Sequence, residues 1–121
     1  MQPKPLGYLG EKLAAQYLKT KGFDLIASNF TIKGGEIDII ARDAKTLVFV
    51  EVKTRTGDSF GTGEESVSGL KKYRLLRTIQ KYLDKNYSAA DPDYRIDIIE
   101  VELNPATCSL KKISHFEDIE F

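Results

Sequence analysis

The run from Gly34 to Arg55, GGEIDIIARDAKTLVFVEVKTR, constrains the fold more than any other part of the chain. Two β-patterned stretches, IDIIA and LVFVEVK, flank a polar link, RDAKT, that reads as a hairpin turn. Side chains alternate across a strand, so Leu47, Phe49, Glu51 and Lys53 share one face and Val48, Val50 and Val52 the other. A loop from Asp43 to Thr46 pairs Arg42 with Leu47, and therefore Asp38 with Glu51. Glu36 shares the face of Asp38 and falls opposite Lys53. The pattern predicts two carboxylates and an amine on one patch of a sheet.

Such a patch is costly. Adjacent carboxylates on a partly buried sheet repel and lose hydration, which raises the pKa of at least one unless a cation intervenes. A hard divalent cation compensates well, because it prefers carboxylate oxygens and keeps waters for chemistry. Lys53 either neutralises Glu51 or positions and activates a water beside such a metal. The plain alternative is a structural ion pair at the sheet edge, where charge discourages aggregation.

Asp38 followed by Glu51-Val52-Lys53 resembles the PD-(D/E)xK nuclease motif, with Ile37 where a proline often stands. The longer string GEIDII…FVEVKTR, the opening GxxGE and the later K…RL…YL helix resemble the YraN-like family of predicted endonucleases over nearly the whole chain. That family is similar to archaeal Holliday-junction resolvases. The resemblance implies a restriction-endonuclease-like α/β fold, with a mixed central sheet flanked by helices. It also implies Mg²⁺ chemistry, with Mn²⁺ as a substitute, at Asp38 and Glu51. Glu11, the glutamate of GxxGE, would be an additional metal ligand. Thr31 stands where the family often has a basic residue.

At 121 residues the chain is expected to be a single domain, residues 1–121, with a core that needs no disulfide. The lone Cys108 fits a reducing cytoplasm, and no apolar run reaches membrane-spanning length. The 18 basic and 18 acidic residues cancel, so a DNA surface has to come from local segregation of charge.

In chain order, a helix is predicted from about Leu6 to Lys21, with Glu11 beside its apolar stripe and Gly22 as its C-terminal cap. FDLIASNFTI reads as a strand interrupted at Ser28-Asn29. The Gly- and Ser-rich stretch TGDSFGTGEESVSG reads as a loop beside the site. A second helix from about Val67 to Tyr87 places Leu75, Leu76, Ile79, Tyr82 and Leu83 on one arc and Arg74, Arg77, Lys81 and Lys85 on another. Lys71 and Lys72 lie at its start. Arg55, Lys71, Lys72, Arg74, Arg77 and Lys81 are the candidate DNA contacts, against the plain reading of a solvated face. YRIDIIEVEL and CSLKKISHF read as two further strands. Asp97 is expected to be structural, and His115 to lie near a frayed C-terminus.

Two functions from different classes follow. One is a metal-dependent phosphodiesterase acting on DNA, branched or junction DNA included. The other is a non-catalytic nucleic-acid-binding or protein-interaction module that keeps the fold. The β-patterned edges at 23–32 and 108–113 allow a homodimer, and edges covered by the chain's own helices allow a monomer.

Overall fold

Helix α1, Lys4–Thr20, ends because Gly22 adopts a φ of 93°, a conformation that suits glycine. The Phe23 N–H donates to the Leu18 carbonyl and the Gly22 N–H to the Lys19 carbonyl, both at 3.0 Å, which satisfies the last helical carbonyls. Leu18 and Phe23 then bury in one cluster. The computed structural model describes residues 4–56, 69–87 and 92–120. Residues 57–68 of the predicted loop, and residues 88–91, lie outside them.

Strands β1 (Asp24–Ile32), β2 (Gly35–Asp43) and β3 (Thr46–Thr56) follow α1, then helix α2 (Gly69–Asn86) and strands β4 (Tyr94–Leu103) and β5 (Leu110–Phe116). The strands form one mixed sheet in the order β1-β2-β3-β4-β5. β3 and β4 run parallel, and the other neighbours run antiparallel. The α2 segment lies in the parallel β3–β4 crossover, as such a connection requires. This is an α/β fold, consistent with the restriction-endonuclease-like architecture.

The parity read from the hairpin holds. Val48 and Val50 bury with Ala14 and Leu18 of α1, whereas Leu47 and Phe49 bury with Ile79 and Leu83 of α2. Arg42 does pair with Leu47, but Asp43 also pairs with Thr46, so the turn tightens to Ala44-Lys45, with Ala44 at a φ of 56°.

Three expectations change. Leu76 is not core: it is 37% exposed, and Thr78 is buried instead. Leu75, Thr78, Ile79, Tyr82 and Leu83 keep the spacing of a single stripe, and Leu76 falls outside it. Thr78 tolerates burial because its Oγ1 donates to the Arg74 carbonyl at 2.7 Å. The last strand starts at Leu110, because Cys108 adopts a φ of 59° in the turn closed by Asn104 N–H and the Ser109 carbonyl. His115 is not frayed, since both its ring nitrogens are hydrogen-bonded.

Candidate active site

The β2–β3 ladder runs from Asp43 and Thr46 to Ile39 and Val50, and it stops there. The expected rung between Asp38 and Glu51 is not formed. Instead the strands part, and the Asp38 carboxylate accepts the Val52 N–H at 2.8 Å. The alternation of β2 also skips a position here: Ile39 buries on the α1 side, whereas Ile37 buries on the α2 side with Ile40. Across the sheet, Ser28 pairs with Ile39 and Phe30 with Ile37, which puts Asn29, at a φ of 52°, opposite Asp38. A left-handed residue in β1 thus faces the kink that aims Asp38.

Helix α1 brings Glu11 to the same place. A Cβ on Gly10 would collide with the Thr54 hydroxyl of β3, so glycine at this position allows helix and sheet to touch. Glu11, next in sequence, is half-buried, and the Asn29 side chain lies where it favours the charged form of that carboxyl. Burial raises the Glu11 pKa first, Glu36 and Glu51 raise it further, and the polar Asn29 side chain opposes them. Asn29, which interrupts the β-patterned run and fits the usual asparagine of the YraN-like family, carries no site role in the sequence pattern; its place opposite Asp38 comes from the sheet register.

Asp38 is only 6% exposed, and its pKa is pushed up to about 8. Burial is the largest cause and Glu51 the second, with the Val52 N–H pulling the other way. Positive charge beside Glu51 comes from two lysines: Lys71 Nζ at 2.7 Å and Lys53 Nζ at 3.5 Å. Lys53 pairs with Glu51 rather than with Glu36, because the register that would oppose it to Glu36 ends at Val50. Burial lowers the Lys53 pKa, Lys71 lowers it further, and Glu51 only partly offsets them. Burial also works against the Lys71 charge, but its bonds to Glu51 and Lys53 prevail and raise its pKa.

These groups line one open cleft of about 460 Å³, together with Glu36, Arg55 and the Gly7 turn of α1. The donor set suits a hard divalent cation, being carboxylates whose charge burial and mutual repulsion oppose. The spacing is looser than a coordination shell. Among the described residues, the group of three ligand atoms within 4.8 Å of one another is Asp97, His115 and Glu117. That group is engaged elsewhere. Asp97 accepts from Arg95 Nε at 3.0 Å and from the Asp118 N–H at 2.9 Å, and His115 Nε2 lies 2.7 Å from its other oxygen. Tyr17 Oη lies 3.0 Å from His115 Nδ1, so the cluster ties α1 to β4 and β5. Asp97 is structural, as expected.

The basic candidates separate. Lys71 is in the cleft, and Arg74 lines an adjoining cavity. Arg55 Nε is paired with Glu100 at 3.1 Å at the cleft wall. Lys72 is half-buried one residue along α2, and Arg77 is exposed beside Gly34. Lys81 lies about 15 Å along the helix axis from Lys71, so it is not part of the cleft.

No helix among the described residues is long and apolar enough to cross a membrane. The chain is 45% identical to a UPF0102 protein of Caldanaerobacter subterraneus subsp. tengcongensis, over 93% of this chain and 91% of that protein. It is 44% identical to one of Herpetosiphon aurantiacus, over 96% and 94%, and 43% identical to one of Alkaliphilus oremlandii, over 95% and 97%. Residues 10–101, which carry Glu11, Asp38, Glu51, Lys53 and Lys71, match the model of uncharacterised protein family UPF0102. The chain therefore belongs to the UPF0102 family, the YraN-like family that its GEIDII…FVEVKTR string resembles.

Proposed function

We propose that the protein is a metal-dependent endonuclease that hydrolyses DNA phosphodiester bonds, with branched and junction DNA among its substrates. The observation that carries this reading is the meeting of Asp38, Glu51 and Lys53 with Glu11 of α1 and Lys71 of α2 in one open cleft. A structural ion pair needs neither a buried carboxyl held largely protonated nor a lysine of reduced basicity beside it.

Asp38 and Glu51, with Glu11, would hold Mg²⁺ or Mn²⁺. The bound ion supplies neutralisation of charge developing at phosphorus and acidifies a coordinated water. Lys53 Nζ orients the attacking water and accepts its proton, a role its lowered pKa favours. Lys71 and Arg74 neutralise phosphates at the cleft, and Arg55, Lys72, Arg77 and Lys81 extend that surface. A cytoplasmic location fits both the substrate and the free thiol of Cys108.

Symmetric cleavage of a junction needs two sites. The junction form of this reading therefore calls for a two-fold homodimer, with β1 or β5, the edge strands, available for pairing. The test is cleavage of branched, flapped, single-stranded and duplex DNA in Mg²⁺ or Mn²⁺ against chelator, with light scattering in parallel. Metal-dependent strand breaks are expected. DNA that is bound but never cut would favour the non-catalytic binding module.

A further inference from the structure

Beside the cleft lies a second cavity of about 510 Å³, lined from the β1–β2 turn and the first turns of α2. The two share a wall made by Glu36, Glu51 and Lys71. Beyond that wall the character changes. Ile32, Leu70 and Leu75 supply apolar surface, Thr31 and the Gly34-Gly35 backbone supply polar groups, and Arg74 stands at the rim. The cavity is built on rigid contacts, because Gly35 packs directly on Thr78 and the Arg74 carbonyl of α2, where a Cβ would not fit.

We infer that this cavity receives an unpaired nucleotide of the strand whose phosphate lies beside Asp38, Glu51 and Lys53, which makes single-stranded or frayed DNA the substrate class. The inference rests on the nuclease reading and narrows it. The volume falls within the roughly 300–1,000 Å³ of small-ligand sites, which suits one nucleotide and excludes a stacked base pair with its helix. The apolar side chains of Ile32, Leu70 and Leu75 offer surface on which a base can pack, and nearby backbone groups can meet its edge. Arg74 has the charge and planar shape to hold the adjoining phosphate or to stack. Glu36, Glu51 and Lys71 border both spaces, so a sugar–phosphate chain can pass from one to the other without leaving the protein surface.

The test compares a thymidine oligonucleotide with an abasic strand of equal length, which carries the same phosphates without bases. Binding is read by fluorescence anisotropy at fixed salt in Ca²⁺. Wild type should bind the thymidine strand at least about 10-fold more tightly than the abasic strand. Thr31→Leu, which narrows the cavity from an exposed strand position, should shrink that ratio to near unity. Leu70→Ala, which removes one apolar wall at an exposed helical position, should do the same. Both should leave affinity for the abasic strand unchanged. Equal binding of the two strands by wild type overturns the subsite, and so does a preference that survives both substitutions. Cleavage of the same strands in Mg²⁺ is scored separately. Metal-dependent cleavage without base preference removes the subsite and keeps the nuclease; failure to bind either strand also removes the subsite, and the nuclease then stands or falls on metal-dependent cleavage of branched and duplex DNA.

Discussion

The Asp38 carboxylate accepts the Val52 N–H at 2.8 Å, two residues past Val50, where the backbone ladder between their strands ends. A side chain thereby takes the place of a strand. The bond satisfies the Val52 amide, holds Asp38 at the mouth of the gap, and leaves the carboxyl in a poorly solvated position near Glu51. Strand separation and the unusual protonation of Asp38 are two consequences of one local geometry.

Metal and proton should compete for that carboxyl. Titration calorimetry is expected to show Mg²⁺ or Mn²⁺ binding that Asp38→Asn and Glu51→Gln each weaken at least about 10-fold. The folded-state pKa of Asp38 is raised, so its contribution to stability is complete below its ordinary value of 3.8 and is lost as pH rises through about 8. Without metal, Asp38→Asn should flatten the fall in stability over that window. At pH 8 it should stabilise the fold by on the order of 1–3 kcal/mol. Unchanged metal affinity in both variants would remove the proposed site.

Lys53 and the arginines of α2 should separate in kinetics. Lys53→Ala is expected to lower turnover by about 10²–10⁴-fold with DNA affinity nearly intact. Arg74→Ala and Arg77→Ala should weaken binding and reduce its salt slope by about one unit each. A Lys53→Ala protein that cuts bound DNA at the normal rate would make Lys53 a phosphate contact and nothing more.

The two glycines of the GxxGE turn should behave oppositely. Nothing lies within 4 Å of a Cβ at Gly7, so Gly7→Ala should stabilise the helix by up to about 1 kcal/mol. At Gly10 the added methyl meets Thr54, so Gly10→Ala should cost about 1–3 kcal/mol and shift Glu11 away from the sheet. Urea denaturation measures the first effect and metal affinity the second. Equal stability changes at both positions would contradict the close approach of α1 to β3.

Asp97 should govern acid stability. Burial opposes its charge, but hydrogen bonds from His115, Arg95 and the Asp118 N–H outweigh burial and hold its pKa below the ordinary carboxylate value. A depressed folded-state pKa contributes stability that is present above the ordinary value of 3.8 and is lost as pH falls through the folded one. Asp97→Asn should therefore flatten the acid limb of the stability curve. At neutral pH it should cost about 3–5 kcal/mol, because Arg95 would lose its buried partner. Denaturant titration from pH 2 to 7 checks this, and a wild-type acid limb in the variant would assign acid unfolding to other carboxylates.

The assembly should follow the substrate. If junctions are cut symmetrically, light scattering at micromolar concentration with junction DNA shows two chains per junction, whereas a single-stranded or frayed substrate needs one. One chain per junction, with a single nick, would leave cleavage of one strand as the activity.

The amino-acid sequence alone determined the order of the elements, the hairpin register at Arg42 and Leu47, and which face of β3 each residue takes. All of these follow from period-two alternation and short-range turn chemistry, which act over a few residues. The Gly22 cap was legible for the same reason. The sequence also singled out Asp38, Glu51 and Lys53, because charges inside an apolar strand pattern stand out. Only the tertiary structure decided how they meet. The ladder ends at Ile39 and Val50, Asn29 takes a left-handed conformation in the neighbouring strand, and Lys71, eighteen residues past Lys53, comes from α2 to bind Glu51. Glu11 and Gly10 needed the approach of α1 to Thr54, and the burial of Thr78 needed the start of β2 at Gly35. These are contacts between elements distant in the chain, and local periodicity carries no information about which side chains from separate elements share a desolvated space.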